Sequence, residues 1–136
     1  MSGGLSDEAR HRQGMQVRRE VLGAAHVDAA VARQTAFTEP FQDFITRTAW
    51  GDVWSREGID RRTRSMLTLT ALLALGHEAE LRLHVRAALT NGVTREEISE
   101  VFLHTAIYAG VPAANSAYAA AQAVFAAIDE ESRADD

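Results

Sequence analysis

A chain of 136 residues, 46% apolar and carrying a net charge of −5, reads as one globular domain. Its charge argues against nucleic acid and anionic membranes as partners. It has no Cys, and all fourteen basic residues are Arg. Disulfides, thiolate catalysis, Cys-ligated metals and every lysine Schiff base, including lysine-anchored pyridoxal phosphate, are therefore excluded. Much of the apolar share is Ala, which buries little area, so a chain this small gains burial by assembling with its own copies. The N-terminal MSGGLSDEARHRQ has no apolar run, and no stretch approaches the ~20 apolar residues of a membrane span. A cytoplasmic location is the expectation.

The pattern is helical almost throughout, which predicts an all-α fold. Ser6, with Asp7 and Glu8, opens a first helix that Gly23 closes. A short helix is expected from about Asp28 to Ala36. Thr38 is the expected cap of a third, with Pro40 in its first turn, where a missing N–H costs nothing. Phe41, Phe44 and Ile45 give that helix an apolar face, and Trp50 and Trp54 extend the aromatic content past Gly51. Asp60 is the expected cap of the next helix. Met66, Leu67, Leu69, Leu72, Leu73 and Leu75 predict that it is the most buried element, ended by Gly76. A helix through GHEAELRLHVRAALT follows, closed by Gly92. Thr94 and Glu97 form a capping box for a helix that runs to Gly110. Pro112 opens the last helix, which is expected to fray into the acidic tail IDEESRADD from residue 129. Neither a strand pattern nor an internal repeat stands out.

His77, Glu80 and His84 are spaced i, i+3 and i+7, so a helix puts them on one face. That stripe can aim two imidazoles and a carboxylate into a site. It can equally be a solvated surface pair, worth a few tenths of a kcal/mol. His77 follows the glycine stop, where backbone N–H groups at a helix start favour anions.

Three segments are familiar when taken together: FITRTAWGDVWSREGIDRRTRSMLTL, HVRAALTNGVTREEI and FLHTAIYAGVPAANSA. They resemble the carboxymuconolactone decarboxylase family of alkylhydroperoxidase-D-like proteins, over roughly Leu5 to Ala127. The resemblance implies an all-α bundle that assembles as a homotrimer or homohexamer, with sites near subunit contacts. The peroxidase branch of that superfamily carries Cys-x-x-Cys-x-x-x-His, with a Glu about twelve residues earlier. On this chain the His position is His84, the two Cys positions are His77 and Glu80, and the Glu position is Ser65. Both thiols and the relay carboxylate are missing, so peroxidase activity by that route is excluded.

The activity implied is decarboxylation of 4-carboxymuconolactone to 3-oxoadipate enol-lactone and CO2, within protocatechuate breakdown through the β-ketoadipate pathway. The ring carboxylate of that substrate sits on a carbon linked, through the ring double bond, to the lactone carbonyl, which takes up the electron pair as a dienolate. No cofactor is needed. The protein must stabilise charge on the lactone oxygen, hold the departing carboxylate in a dry place and protonate one carbon. His84 is the candidate acid, since an imidazole titrates near neutral pH. Glu80 either sets its tautomer or is itself the acid. Arg64 and Arg47 are the candidate carboxylate ligands, from a cluster that includes Arg61 and Arg62. His77, Trp50, Trp54, His104 and Tyr108 complete the candidate substrate-binding set, with Glu100 on the stripe of the last two. Two alternatives stay open: a metal-dependent lyase using His77, Glu80 and His84, and a non-enzymatic helical oligomer that binds a small organic acid.

Overall fold

The computed structural model describes residues 4–135, and among these the regular structure is entirely helical. The helices are α1 (Asp7–Leu22), α2 (Ala24–Ala32), α3 (Glu39–Ile45), α4 (Arg61–Leu75), α5 (Glu78–Thr90), α6 (Arg95–Ala109) and α7 (Val111–Ala134). A π-helical segment, Thr46–Trp54, continues directly from α3. The described residues form two compact units, one through Arg61 and one from Arg62.

In the N-terminal unit, Ser6 accepts a hydrogen bond from the Ala9 amide and caps α1. Gly23, at φ 95°, ends α1 and starts α2 with no intervening loop. The second helix therefore begins at Ala24 rather than near Asp28, which lies inside it and pairs with Arg19. Thr38 does precede α3, but it does not cap it. Its hydroxyl accepts from the Thr35 amide at 2.9 Å instead.

The π-helical segment was not foreseen. The wider π turn takes amide donors away from the usual carbonyls four residues back. Side-chain hydroxyls serve such carbonyls here: Thr46 donates to Gln42 O at 2.7 Å, Thr48 to Phe44 O at 2.7 Å, and Ser55 to Gly51 O. This segment packs along α1 at backbone contact. A Cβ on Gly14 would lie 1.9 Å from the Thr46 carbonyl oxygen, and one on Gly51 would lie 2.6 Å from the Arg10 carbonyl oxygen. Beside the contact, Arg10 forks onto Asp52 with bonds of 2.9 and 2.5 Å.

The C-terminal unit is built around one core. Leu69 and Leu73 of α4, Leu81 and Val85 of α5, and Ile98 and Phe102 of α6 enclose Ala117, Ala120 and Ala121 of α7. The alanines let α7 lie close to its neighbours, and Phe102 meets Tyr118 edge-on at 5.3 Å. The helix α4 is less buried than its leucine content predicts. Its inner stripe is Ser65, Leu69 and Leu73, while Leu67 and Leu75 face outward, 58% and 69% exposed. The capping box of Thr94 and Glu97 forms as expected. The acidic tail does not fray at residue 129: α7 continues to Ala134, and Asp129 and Glu131 pair with Arg95 and Arg86.

The close contact of α1 with the π-helical segment makes a stability prediction. Gly14→Ala gains about 1 kcal/mol of helix propensity. It also forces two backbones apart, and overpacking typically costs about 1–3 kcal/mol. At a 1.9 Å clash the cost wins. Urea unfolding should show a net loss for Gly14→Ala. Gly58→Ala, where nothing lies within 4 Å of the new methyl, should unfold at the wild-type midpoint.

Candidate active site

In the C-terminal unit, the helix α5 turns Leu81, Val85 and Ala88 into the core. The stripe of His77, Glu80 and His84 runs along the border of that buried face. His77 is the residue before the helix, exposed, and makes no cap with its side chain. Glu80 is exposed one turn on. His84 is half-buried, and its Nδ1 atom is enclosed. The stripe thus passes from solvent to the margin of the core, and His84 is its one member with a sheltered ring. Glu78 and Glu80 already occupy the first turn of α5, so the positive end of the helix faces carboxylates of its own chain.

Arg64 is half-buried on α4, with its Nε enclosed. Its neighbour Ser65 is fully buried and accepts a 2.9 Å hydrogen bond from Asn91 Nδ2. The position that would hold a relay carboxylate is therefore a tie between α4 and the end of α5. Arg62 is engaged by Glu97.

On α6, His104 and Tyr108 are both exposed, with ring centroids 5.4 Å apart. They line a cleft with Thr70, Ala74 and Thr105, and His104 also lines an adjoining one with Met66, Glu97 and Glu100. The clefts have volumes of about 480 and 500 Å3. The structure so brings together the stripe of Glu100, His104 and Tyr108 beside α4, as the spacing suggested. No group of three or more His, Asp or Glu among the described residues is placed to hold a metal ion. The set of His77, Glu80 and His84 thus does not form the cage that a metal-dependent lyase needs.

In the N-terminal unit, Trp50 is buried and stacks at a tilt on half-buried Trp54, 5.2 Å away. Arg47 donates to Asp43 at 3.1 Å and lines a cleft with Asp7, Glu8, His11 and Arg12. Three carboxylates in that cleft oppose a second anion, which weakens Arg47 as a carboxylate ligand. Arg61 is held by Glu20 at 2.9 Å.

Sequence reasoning passed over Arg18. It is buried in α1, on the same face as Gly14, Val17 and Val21. Nη1 donates to Thr46 Oγ1 at 3.4 Å and Nη2 to Gln42 Oε1 at 3.2 Å, both neutral oxygens. The signal was present: an Arg inside the apolar stripe of an otherwise amphipathic helix. His26 on α2 feels this cation. Burial, then the charges of Arg18 and Arg33, push its imidazole below the usual value of 6.5.

Residues 39–123 match the carboxymuconolactone decarboxylase family. The chain is 51% identical to a 4-carboxymuconolactone decarboxylase of Acinetobacter baylyi, over 89% of this chain and 90% of that protein. It is 45% identical to a nitrosuccinic acid decarboxylase of Metarhizium robertsii, over 82% and 81% of the two chains. A 4-carboxymuconolactone decarboxylase of Pseudomonas putida is matched over its whole sequence at 48% identity, which covers 35% of this chain. No helix among the described residues is long and apolar enough to cross a membrane.

His26 supplies a pH prediction. A histidine whose folded value is depressed binds fewer protons in the folded state than in the unfolded one. Its contribution to stability is complete above about 6.5 and is lost as the pH falls toward the lower folded value. An NMR titration should place the His26 midpoint below 6.5. The His26→Gln protein should lose less stability than wild type between pH 7 and 5. A His26 midpoint above 6.5 would contradict the field attributed to Arg18.

Proposed function

The chain belongs to the carboxymuconolactone decarboxylase family, and from that membership we propose that it converts 4-carboxymuconolactone to 3-oxoadipate enol-lactone and CO2 in protocatechuate catabolism. The chain is a carboxy-lyase. The observation that carries the lactone as substrate is the 51% identity with the Acinetobacter enzyme across nearly the whole of both chains.

The fungal relative favours a second reading, an acyclic nitro acid as substrate. The two named substrates share one logic. In each, the electrons left by CO2 are taken up by a neighbouring group, a conjugated lactone carbonyl or a nitro group. The protein then needs a cation for the bound carboxylates and a positioned acid for the resulting carbon, and no electron-sink cofactor.

Within the C-terminal unit, His84 is the proposed proton donor. Its ring is sheltered at the edge of the core, and its Nδ1 is enclosed, which favours delivery from Nε2. Glu80, one turn earlier, is the proposed partner or co-acid. Arg64, half-buried on α4, is the proposed grip on the carboxylate that stays with the product. His104, Tyr108 and His77 are proposed substrate contacts. A homotrimer or homohexamer is proposed as the working form. Support comes from the outward Leu103, Ile107, Tyr108 and Val111, which are 58–79% exposed in the single chain. Light scattering at micromolar concentration should find one of these assemblies, and an active monomer would refute both.

Turnover decides the reading. Purified protein given 4-carboxymuconolactone should abolish the conjugated absorbance, and exhaustive dialysis against a chelator should leave the rate unchanged. His84→Ala should lower kcat by about 10²–10⁴-fold, the usual worth of a positioned acid. Glu80→Gln should cost less if Glu80 only orients the imidazole, and as much if it is the acid. Turnover of nitrosuccinate but not of the lactone would select the second reading. An unchanged kcat in His84→Ala would return His84 to the surface stripe.

A further inference from the structure

Arg18 is charged in a place where charge is costly. At least nine of the fourteen arginines lie within ion-pair distance of a carboxylate. Arg18 is 6% exposed, and among the described residues its hydrogen bonds reach only an amide oxygen and a hydroxyl. Its Nε is buried and has no acceptor among the described residues. Both bonds exceed the usual N–H···O length of about 2.9–3.0 Å. A guanidinium carries five donors in a planar fork and stays charged in proteins. Buried charge is stable when an anion pairs with it and satisfies its donors.

The two neighbours can change role. The Gln42 amide can turn its NH2 toward an anion, and the Thr46 hydroxyl can exchange its bond to Gln42 O for a donation to one. A planar, singly charged anion matches one guanidinium, whereas a phosphate dianion calls for more donors than this group offers. The geometry points to Arg18, with Gln42 and Thr46, as a binding site for the carboxylate of a small organic acid. Arg18 lies ahead of the residues 39–123 that the family shares. The acid can come from two sources: the compound being decarboxylated, or another acid that acts as an effector. Only the first assignment rests on the decarboxylase reading above; the carboxylate site stands on the geometry of the N-terminal unit.

The full-length protein and Arg18→Met test this, with succinate as probe and uncharged succinamide as control at matched ionic strength. Met keeps the length of the side chain and removes its charge. A buried ion exchanged for an apolar group of similar volume is often tolerated, and Arg18→Gln serves as a second variant. In wild type, succinate should raise Tm and move the NMR signals of His26, which senses the Arg18 charge; succinamide should do neither. Both responses should vanish in the variants, with affinity for succinate down by about 10–100-fold. A rise in KM for the lactone of similar size, at nearly constant kcat, assigns the site to the reacting acid. An unchanged KM with the succinate response lost assigns it to an effector. Equal effects of succinate and succinamide on wild type overturn the site, and so does a variant that responds to succinate as wild type does. The wild-type comparison decides even if both variants unfold. Failure of wild type to turn over the lactone sinks the substrate reading while the succinate measurements still decide the site.

Discussion

The electrostatics of the N-terminal unit depend on how closely α1 lies against the π-helical segment. Gly14 and Gly51 remove the two side chains that would hold these backbones apart. Once they touch, every longer side chain on the facing surfaces must either exit to solvent or be enclosed. Arg10 exits and is met by Asp52, whose carboxyl it holds below the ordinary range. Arg18, one helical turn beyond Gly14, is enclosed, and the wide π turn offers it only the Thr46 hydroxyl. A glycine contact that looks like packing therefore decides which cation is neutralised and which is left under-compensated. Burial, and then that cation, hold the His26 imidazole below its usual value.

The C-terminal unit solves a different problem. In the proposed reaction the substrate supplies its own electron sink, which asks little of the protein except fixed positions. Here fixity comes from a core in which α7 contributes chiefly alanine, and α4, α5 and α6 contribute the large side chains. With α7 this slim, α5 is pinned by Leu81, Val85 and Ala88. A residue flanking that stripe, such as His84, is then neither floating nor sealed. Ser65 and Asn91 add a polar tie at the far end of α5. A histidine on the opposite face of the same helix would have the same chemistry without this restraint.

The legible parts of the fold were those governed by local chemistry. Ser6, Gly23, Thr94 with Glu97, and Gly110 each act within one turn of themselves, and each marked a boundary that the structure contains. The parts that were not legible depend on partners distant in sequence. Asp28 resembles a helix start because aspartate caps helices, but Gly23 had already started the second helix at Ala24, so Asp28 lies inside it as the partner of Arg19. The leucines of α4 suggested a helix buried on most sides, whereas Leu67 and Leu75 lie on the face away from the core. The π-helical segment has no sequence signature comparable to a cap. The candidate site was legible to the same degree: shared helix faces could be read from spacing, while Arg47's carboxylate neighbours and Arg18's burial required tertiary structure.

Selective binding of a carboxylate depends on charge placement, and Arg18 is a cation held in a costly position. A fully exposed guanidinium is screened by water and counter-ions and discriminates little between one carboxylate and another. One already neutralised by an internal Asp or Glu must exchange an intramolecular partner for the ligand, which cancels most of the gain. A guanidinium that is desolvated, held by neutral oxygens and short of acceptors gains the most from an arriving anion. It is already largely out of water, and its two bonds are long ones. The stability forgone in burying it is recovered only when a carboxylate arrives. The glycine contact that encloses Arg18 therefore makes the folded state less favourable when empty and more selective when bound, the trade expected where a protein gives up stability at a binding site.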